Sequence, residues 1–96
     1  MVKIVWTELA IDDLKNIHNY ISKESLVYAN NLVEKLISRI DQIEQFPESG
    51  RIVPEFRKRM LRELIEGSYR IIYKIHREYI GTVRIHHSAR LLKTRK

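Results

Sequence analysis

Phe46-Pro47-Glu48-Ser49-Gly50-Arg51 (FPESGR, residues 46–51) separates two stretches of different hydrophobic period, and that separation decides the fold. Pro47 cannot continue a helix, and Gly50 permits a backbone turn. Upstream the apolar residues recur at offsets of three and four. Ala10, Leu14, Ile17 and Ile21 follow a Thr7 N-cap with Glu8, Asp12 and Asp13 near the helix start, and Ala29, Val33, Leu36, Ile40 and Ile43 follow Ser22 or Ser25. The spacing predicts two amphipathic helices joined as a hairpin. Ahead of them, VKIVW (residues 2–6) reads as a short strand.

Downstream the period falls to two. Residues 60–65 and 69–76 (YRIIYKIH) read as strands joined through Glu66-Gly67-Ser68, with Tyr69, Ile71, Tyr73 and Ile75 on one face and Arg70, Ile72, Lys74 and His76 on the other. A turn over residues 77–81 leads to a last strand, 82–87, and a basic tail ending Lys93-Thr94-Arg95-Lys96. The expected fold is α+β in the order β-α-α-β-β-β. The helix hairpin (about 7–46) packs on one face of a small twisted antiparallel sheet formed by the basic half (51–96), and the other face is left open.

A chain of 96 residues with 44% hydrophobic content supports one core and one domain, 1–96, and neither a repeat nor a linker divides it. With 0 Cys there is no disulfide framework and no thiolate chemistry, which fits a reducing compartment. The opening apolar stretch is too short for a signal peptide, and no apolar run approaches the roughly 20 residues that span a bilayer. The expected location is the cytoplasm, with no membrane partner. A glycine-rich phosphate loop, a nucleophile motif and a metal constellation are all missing, which argues against a metabolic enzyme and predicts no cofactor, small-molecule or metal. The adjacent His86 and His87 point to opposite faces of a strand, so they do not form a metal pair.

The formal charge of +6 is unevenly placed: residues 1–50 carry 5 Lys/Arg against 8 Asp/Glu, whereas residues 51–96 carry 13 against 4. A half with a net charge of +9 suits nucleic acid or an acidic protein segment, because clustered cations steer polyanions.

VWTELAIDDLKNIHNYI (residues 5–21), Pro47 with Gly50-Arg51, Leu61-Arg62-Glu63-Leu64, Tyr69-Arg70-Ile71-Ile72-Tyr73 and His87-Ser88-Ala89-Arg90 together resemble the RelE/ParE superfamily of bacterial toxins, over nearly the whole chain and in the right order. The resemblance implies the toxin of a type II toxin–antitoxin (plasmid stabilisation) module, held inactive by a cognate antitoxin that folds on binding.

The superfamily has two chemistries. RelE-like members cut messenger RNA on the ribosome, which needs cations where charge builds on the phosphate and a group to take the 2′-hydroxyl proton. ParE-like members inhibit DNA gyrase. Matched to the RelE-like pattern, the catalytic candidates are Arg62, Arg70, His87 and Arg90. Two departures stand out: Leu61 and Glu63 occupy the places of paired lysines, and no aromatic residue follows His87. His86 or His87 would be the substitute base. The opening VWTELAIDDL and the closing His-x-x-Arg resemble the ParE branch more, so gyrase inhibition is favoured over ribosome-dependent cleavage.

Arg57, Lys58, Arg59, Arg62, Arg70 and Arg90 are the candidate contacts to target or antitoxin, an acidic antitoxin segment being attracted to the basic half. Arg70 has an equally simple structural reading, an ion pair with Glu63 across the hairpin. Tyr69, Tyr73 and Trp6 read as core anchors, Arg51 as a local binder of carbonyl groups, and residues 57–59 as a solvated loop. A rival of another class is a nontoxic nucleic-acid-binding adaptor, which would bind with a steep salt dependence and leave growth untouched.

Overall fold

The computed structural model describes residues 3–87, so Val2, Arg90 and the basic tail lie outside the described residues. β1 (Lys3–Trp6), α1 (Glu8–Ser22) and α2 (Leu26–Gln45) are followed by β2 (Arg51–Ile52), β3 (Leu61–Glu66), β4 (Tyr69–Ile75) and β5 (Tyr79–His87). Thr7 caps α1 by accepting the Ala10 N–H at 3.1 Å, and Ser25 caps α2 by accepting the Tyr28 N–H at 3.1 Å. The five strands form one sheet in the order β1-β5-β4-β3-β2, with the helix hairpin carrying the chain from one edge to the other.

The α+β architecture and the β-α-α-β-β-β order are as expected, with β2 as a two-residue addition. The sheet itself is mixed. β1 runs parallel to β5, Lys3 opposite Tyr79 and Trp6 opposite Thr82, while every other pairing is antiparallel. β5 also begins three residues earlier than expected, because the turn closes tightly where His76 N–H donates to Tyr79 C=O at 2.9 Å.

The core lies between α2 and the sheet. Leu36, Ile40 and Ile43 pack with Leu64, Ile71, Tyr73, Ile80 and Ile85, and Trp6, Leu14, Ile17 and Tyr69 close its margin. Ile80 and Ile85 are five residues apart, so strict alternation would put them on opposite faces. A bulge at Val83 resolves this: Ile72 pairs with Arg84 and Tyr73 with Thr82, leaving Val83 unopposed and switching which residues face inward. Beyond the bulge, Arg84 and His86 share the outer face with Ile72 and Arg70.

Where β1 ends, α1 takes over the free edge of β5. The Thr7 hydroxyl lies 2.8 and 3.0 Å from the Thr82 and Val83 carbonyls, and Asp13 accepts the Ile85 N–H at 2.9 Å. The edge that β1 leaves unpaired is therefore satisfied by side chains from the helix.

Candidate functional site

The outer face of β3 and β4 carries an ion cluster rather than a bare surface. Arg70 on β4 is 4% exposed and Glu63 on β3 is 1% exposed. Arg70 Nε donates to Glu63 Oε1 at 2.7 Å, and its Nη1 and Nη2 each donate to Glu55 at 2.8 Å. Arg51 on β2 closes the other side of Glu63 through Nε at 2.5 Å. Two arginines and two glutamates thus neutralise one another, and the bidentate Arg70–Glu55 contact ties the segment after β2 across the sheet. Hydrogen bonds donated to the Glu55 carboxylate raise the Arg70 pKa against the opposing effect of burial, with Glu63 adding to them, so Arg70 stays charged throughout the working pH range. The ion pair with Glu63 is the structural reading realised, and Arg51 meets a carboxylate rather than a carbonyl.

Arg62 points to the opposite face. Its Nε donates to the Arg59 carbonyl at 2.8 Å and its Nη1 to the Gly50 carbonyl at 3.1 Å, holding two loops together at the end of β3. Beside it, the buried Tyr73 hydroxyl accepts the Gly50 N–H at 2.9 Å and donates to the Pro47 carbonyl at 2.7 Å. Burial pushes the Tyr73 phenol up from its ordinary value, outweighing the hydrogen bonds with the Gly50 N–H and Ser49 and the nearby Arg62 charge.

His87 is exposed at the far end of β5, edge-on to Tyr69 with ring centroids 5.7 Å apart. It stands opposite Tyr69 in the ladder, whereas Arg62 stands opposite Tyr73. Four residues along a strand amount to about 13 Å. Arg62 and His87 therefore lie on the helix side but far apart, and Arg70 lies on the other side with the buried His86. The structure does not bring Arg62, Arg70 and His87 together; Arg90 lies outside the described residues. Arg57, Lys58 and Arg59 are exposed in the loop before β3, with Arg57 at φ 53°.

Sequence reasoning singled out neither Glu55 nor Arg84. Arg84 grips Asp13 through Nε at 2.8 Å and Nη2 at 3.0 Å. No spacing rule links residues 71 positions apart, but the net basic count of this half signalled that some of its cations would need acids from elsewhere.

The family described as ParE toxin of type II toxin-antitoxin system, parDE, matches residues 4–92. The chain belongs to the ParE toxin family. Among curated relatives it is similar to Toxin RelE2 of Caulobacter vibrioides, with 35% identity over 92 residues, 95% of this chain and all of that one. The chromosomal ParDE toxin–antitoxin system from P. aeruginosa has the same fold, with a TM-score of 0.76 at 21% identity over 91% of this chain and 96% of that one. As a ParE-family toxin, this chain is the toxin of a type II toxin–antitoxin system, and that system implies a cognate antitoxin as its partner. No described helix is long and apolar enough to cross a membrane.

Proposed function

We propose that this ParE-family toxin arrests growth by inhibiting DNA gyrase in the cytoplasm, through binding rather than RNA cleavage, and that its antitoxin neutralises it by covering the basic half. One observation carries the reading. The cation that a phosphodiester-cleaving site would recruit from β4, Arg70, is clasped by Glu63 and Glu55, on the face opposite Arg62 and His87. A phosphate approaching Arg70 would meet two carboxylates first, and charge stabilisation in a transition state needs preorganised donors without competing acids.

The second reading, ribosome-dependent cleavage of messenger RNA, rests on the relative named RelE2 at 35% identity. A short induction of the full chain without antitoxin, with growth followed and new RNA 5′ ends mapped, separates the two. Growth arrest without breaks in translated codons, together with loss of supercoiling by gyrase mixed with purified toxin, is the expected result. Codon-phased breaks that vanish in Arg90→Ala would replace gyrase by the ribosome. Normal growth would overturn both readings and point to an inactive member of the toxin family or to the nontoxic adaptor.

A further inference from the structure

One end of the sheet gathers cations that no carboxylate among the described residues neutralises. On the rest of the sheet, Arg51, Arg70 and Arg84 are each paired with an acid. At the β4–β5 turn the pattern reverses. Lys3 stands opposite Tyr79, Lys74 opposite Leu61, and Arg77 occupies the turn itself, all three exposed and without an ion pair among the described residues. The loop carrying Arg57, Lys58 and Arg59 arrives at the same end, where the Ile75 N–H donates to the Met60 carbonyl at 2.7 Å. Six exposed cations thus share this end, and Glu78 is the one acid on the turn.

The turn also presents flat aromatic surface. His76 and Tyr79 stack with ring centroids 4.2 Å apart and an interplanar angle of 14°. Tyr79 is 39% exposed, and a shallow concavity lined by His76, Arg77, Glu78 and Tyr79 opens beside the stack. The backbone bond from His76 N–H to the Tyr79 carbonyl fixes the spacing of the two rings, so little ordering remains to be done on binding.

We propose that the β4–β5 turn is a binding site for single-stranded nucleic acid: an unpaired base stacks on the His76–Tyr79 pair while Arg77, Lys74 and the 57–59 loop hold the flanking phosphates. Cations with an aromatic platform are the combination that single strands require, since every base offers a π-face and every linkage a charge. Paired bases in a duplex keep their faces inside the stack and gain only the charge contacts. An acidic peptide would use the cations and leave the aromatic pair unused. The site lies at the end of the sheet away from Arg70 and His87, with Arg62 bracing the 57–59 loop through the Arg59 carbonyl, and it goes beyond the target proposed above, because a strand held here serves a gyrase- or a ribosome-directed toxin equally.

The test is fluorescence anisotropy of a labelled mixed-sequence 12-nucleotide DNA with the purified full chain at several salt concentrations. Affinity is expected to fall with a log–log slope of about −0.7 per phosphate held. Tyr79→Ala is expected to weaken binding about tenfold and Tyr79→Phe to restore it, as loss of one stacked base predicts. Arg77→Glu is expected to weaken binding more than Lys15→Glu, a reversal on the exposed face of α1. Circular dichroism confirms folding of each variant, and Arg77→Glu, in a surface turn, keeps the test valid if Tyr79→Ala unfolds. Equal losses for Arg77→Glu and Lys15→Glu, equal affinity for duplex and single strand, or no binding at low salt would overturn the site. Growth arrest by the same variants is scored separately, so losing this site does not count against the gyrase reading.

Discussion

Arg70 and Glu63 face each other from neighbouring strands, Nε to Oε1 at 2.7 Å, with neither residue more than 4% exposed. The sheet thereby holds a desolvated charge pair on the side away from its apolar core. Such a pair is weak evidence for stability as a unit, but it is intolerant of losing one member.

Arg70→Met is expected to destabilise the fold by about 3–5 kcal/mol, because Glu63 remains buried with only the exposed Arg51 to compensate it. The double variant Glu63→Leu/Arg70→Met is expected to recover part of that loss, since the fully buried Glu63 charge is gone while Glu55, 16% exposed at its side chain, still lacks Arg70. Urea denaturation of the three chains decides it, and a single variant within 1 kcal/mol of the parent would mean that water reaches the cluster.

Gly50 illustrates a close approach that only glycine allows. A Cβ there would sit 2.5 Å from Tyr73 Oη and 2.6 Å from the Glu63 carbonyl oxygen. Gly50→Ala is expected to cost about 1–3 kcal/mol as a forced contact. Tyr73→Phe is expected to cost a similar amount, about 1–3 kcal/mol, by stripping the Gly50 N–H and Pro47 carbonyl of their shared partner. Combined, the two changes should cost less than their sum, because removing the hydroxyl also removes one of the clashing atoms. Strict additivity in thermal or urea melts would show that the Glu63 carbonyl alone sets the limit.

Asp13 makes the fold sensitive to acid. Burial alone would raise its pKa, but the Arg84 guanidinium and the Ile85 N–H outweigh burial and hold the carboxyl below its ordinary value of 3.8. A group with a depressed folded pKa contributes stability above its unfolded value and loses it as pH falls through the folded one. Asp13→Asn is expected to cost about 1.5–3 kcal/mol at neutral pH, as loss of a charged hydrogen-bond acceptor. That difference should shrink as pH drops below 3.8. Urea midpoints across that range test it; a gap between the chains that is constant with pH would assign the cost to packing.

The helices, the two central strands and their facing residues were legible because each depends on local periodicity: Leu36, Ile40 and Ile43 on α2 and Ile71 and Tyr73 on β4 are buried as their spacing predicts. The parallel pairing of β1 was not, since it joins Lys3 to Tyr79 across the whole chain and leaves no mark on either strand's composition. The bulge at Val83 was equally silent, and Gly81, which reads as a turn residue, in fact lies within β5. At the candidate site the Arg70–Glu63 pair was legible from the hairpin register. Glu55 was not, because an irregular loop sets where it lands.

Thr7 and Ser25 allow a last comparison, because both cap a helix and only one does anything else. The Ser25 hydroxyl oxygen accepts the Tyr28 N–H at an exposed site. Thr7 accepts the Ala10 N–H and also places its hydroxyl on the Thr82 and Val83 carbonyls of β5, where the sheet hands over to α1. Ser25→Ala should therefore lose about 1 kcal/mol, an ordinary cap. Thr7→Ala should lose about 2 kcal/mol, since a part-buried hydrogen bond goes with the cap. Thr7→Ser keeps the oxygen in place and should stay close to the parent. Hydrogen exchange adds the location: Thr7→Ala is expected to expose the amides at residues 82–85, while Ser25→Ala leaves them protected. Equal losses with no change at β5 would mean that the helix cap alone is what Thr7 supplies.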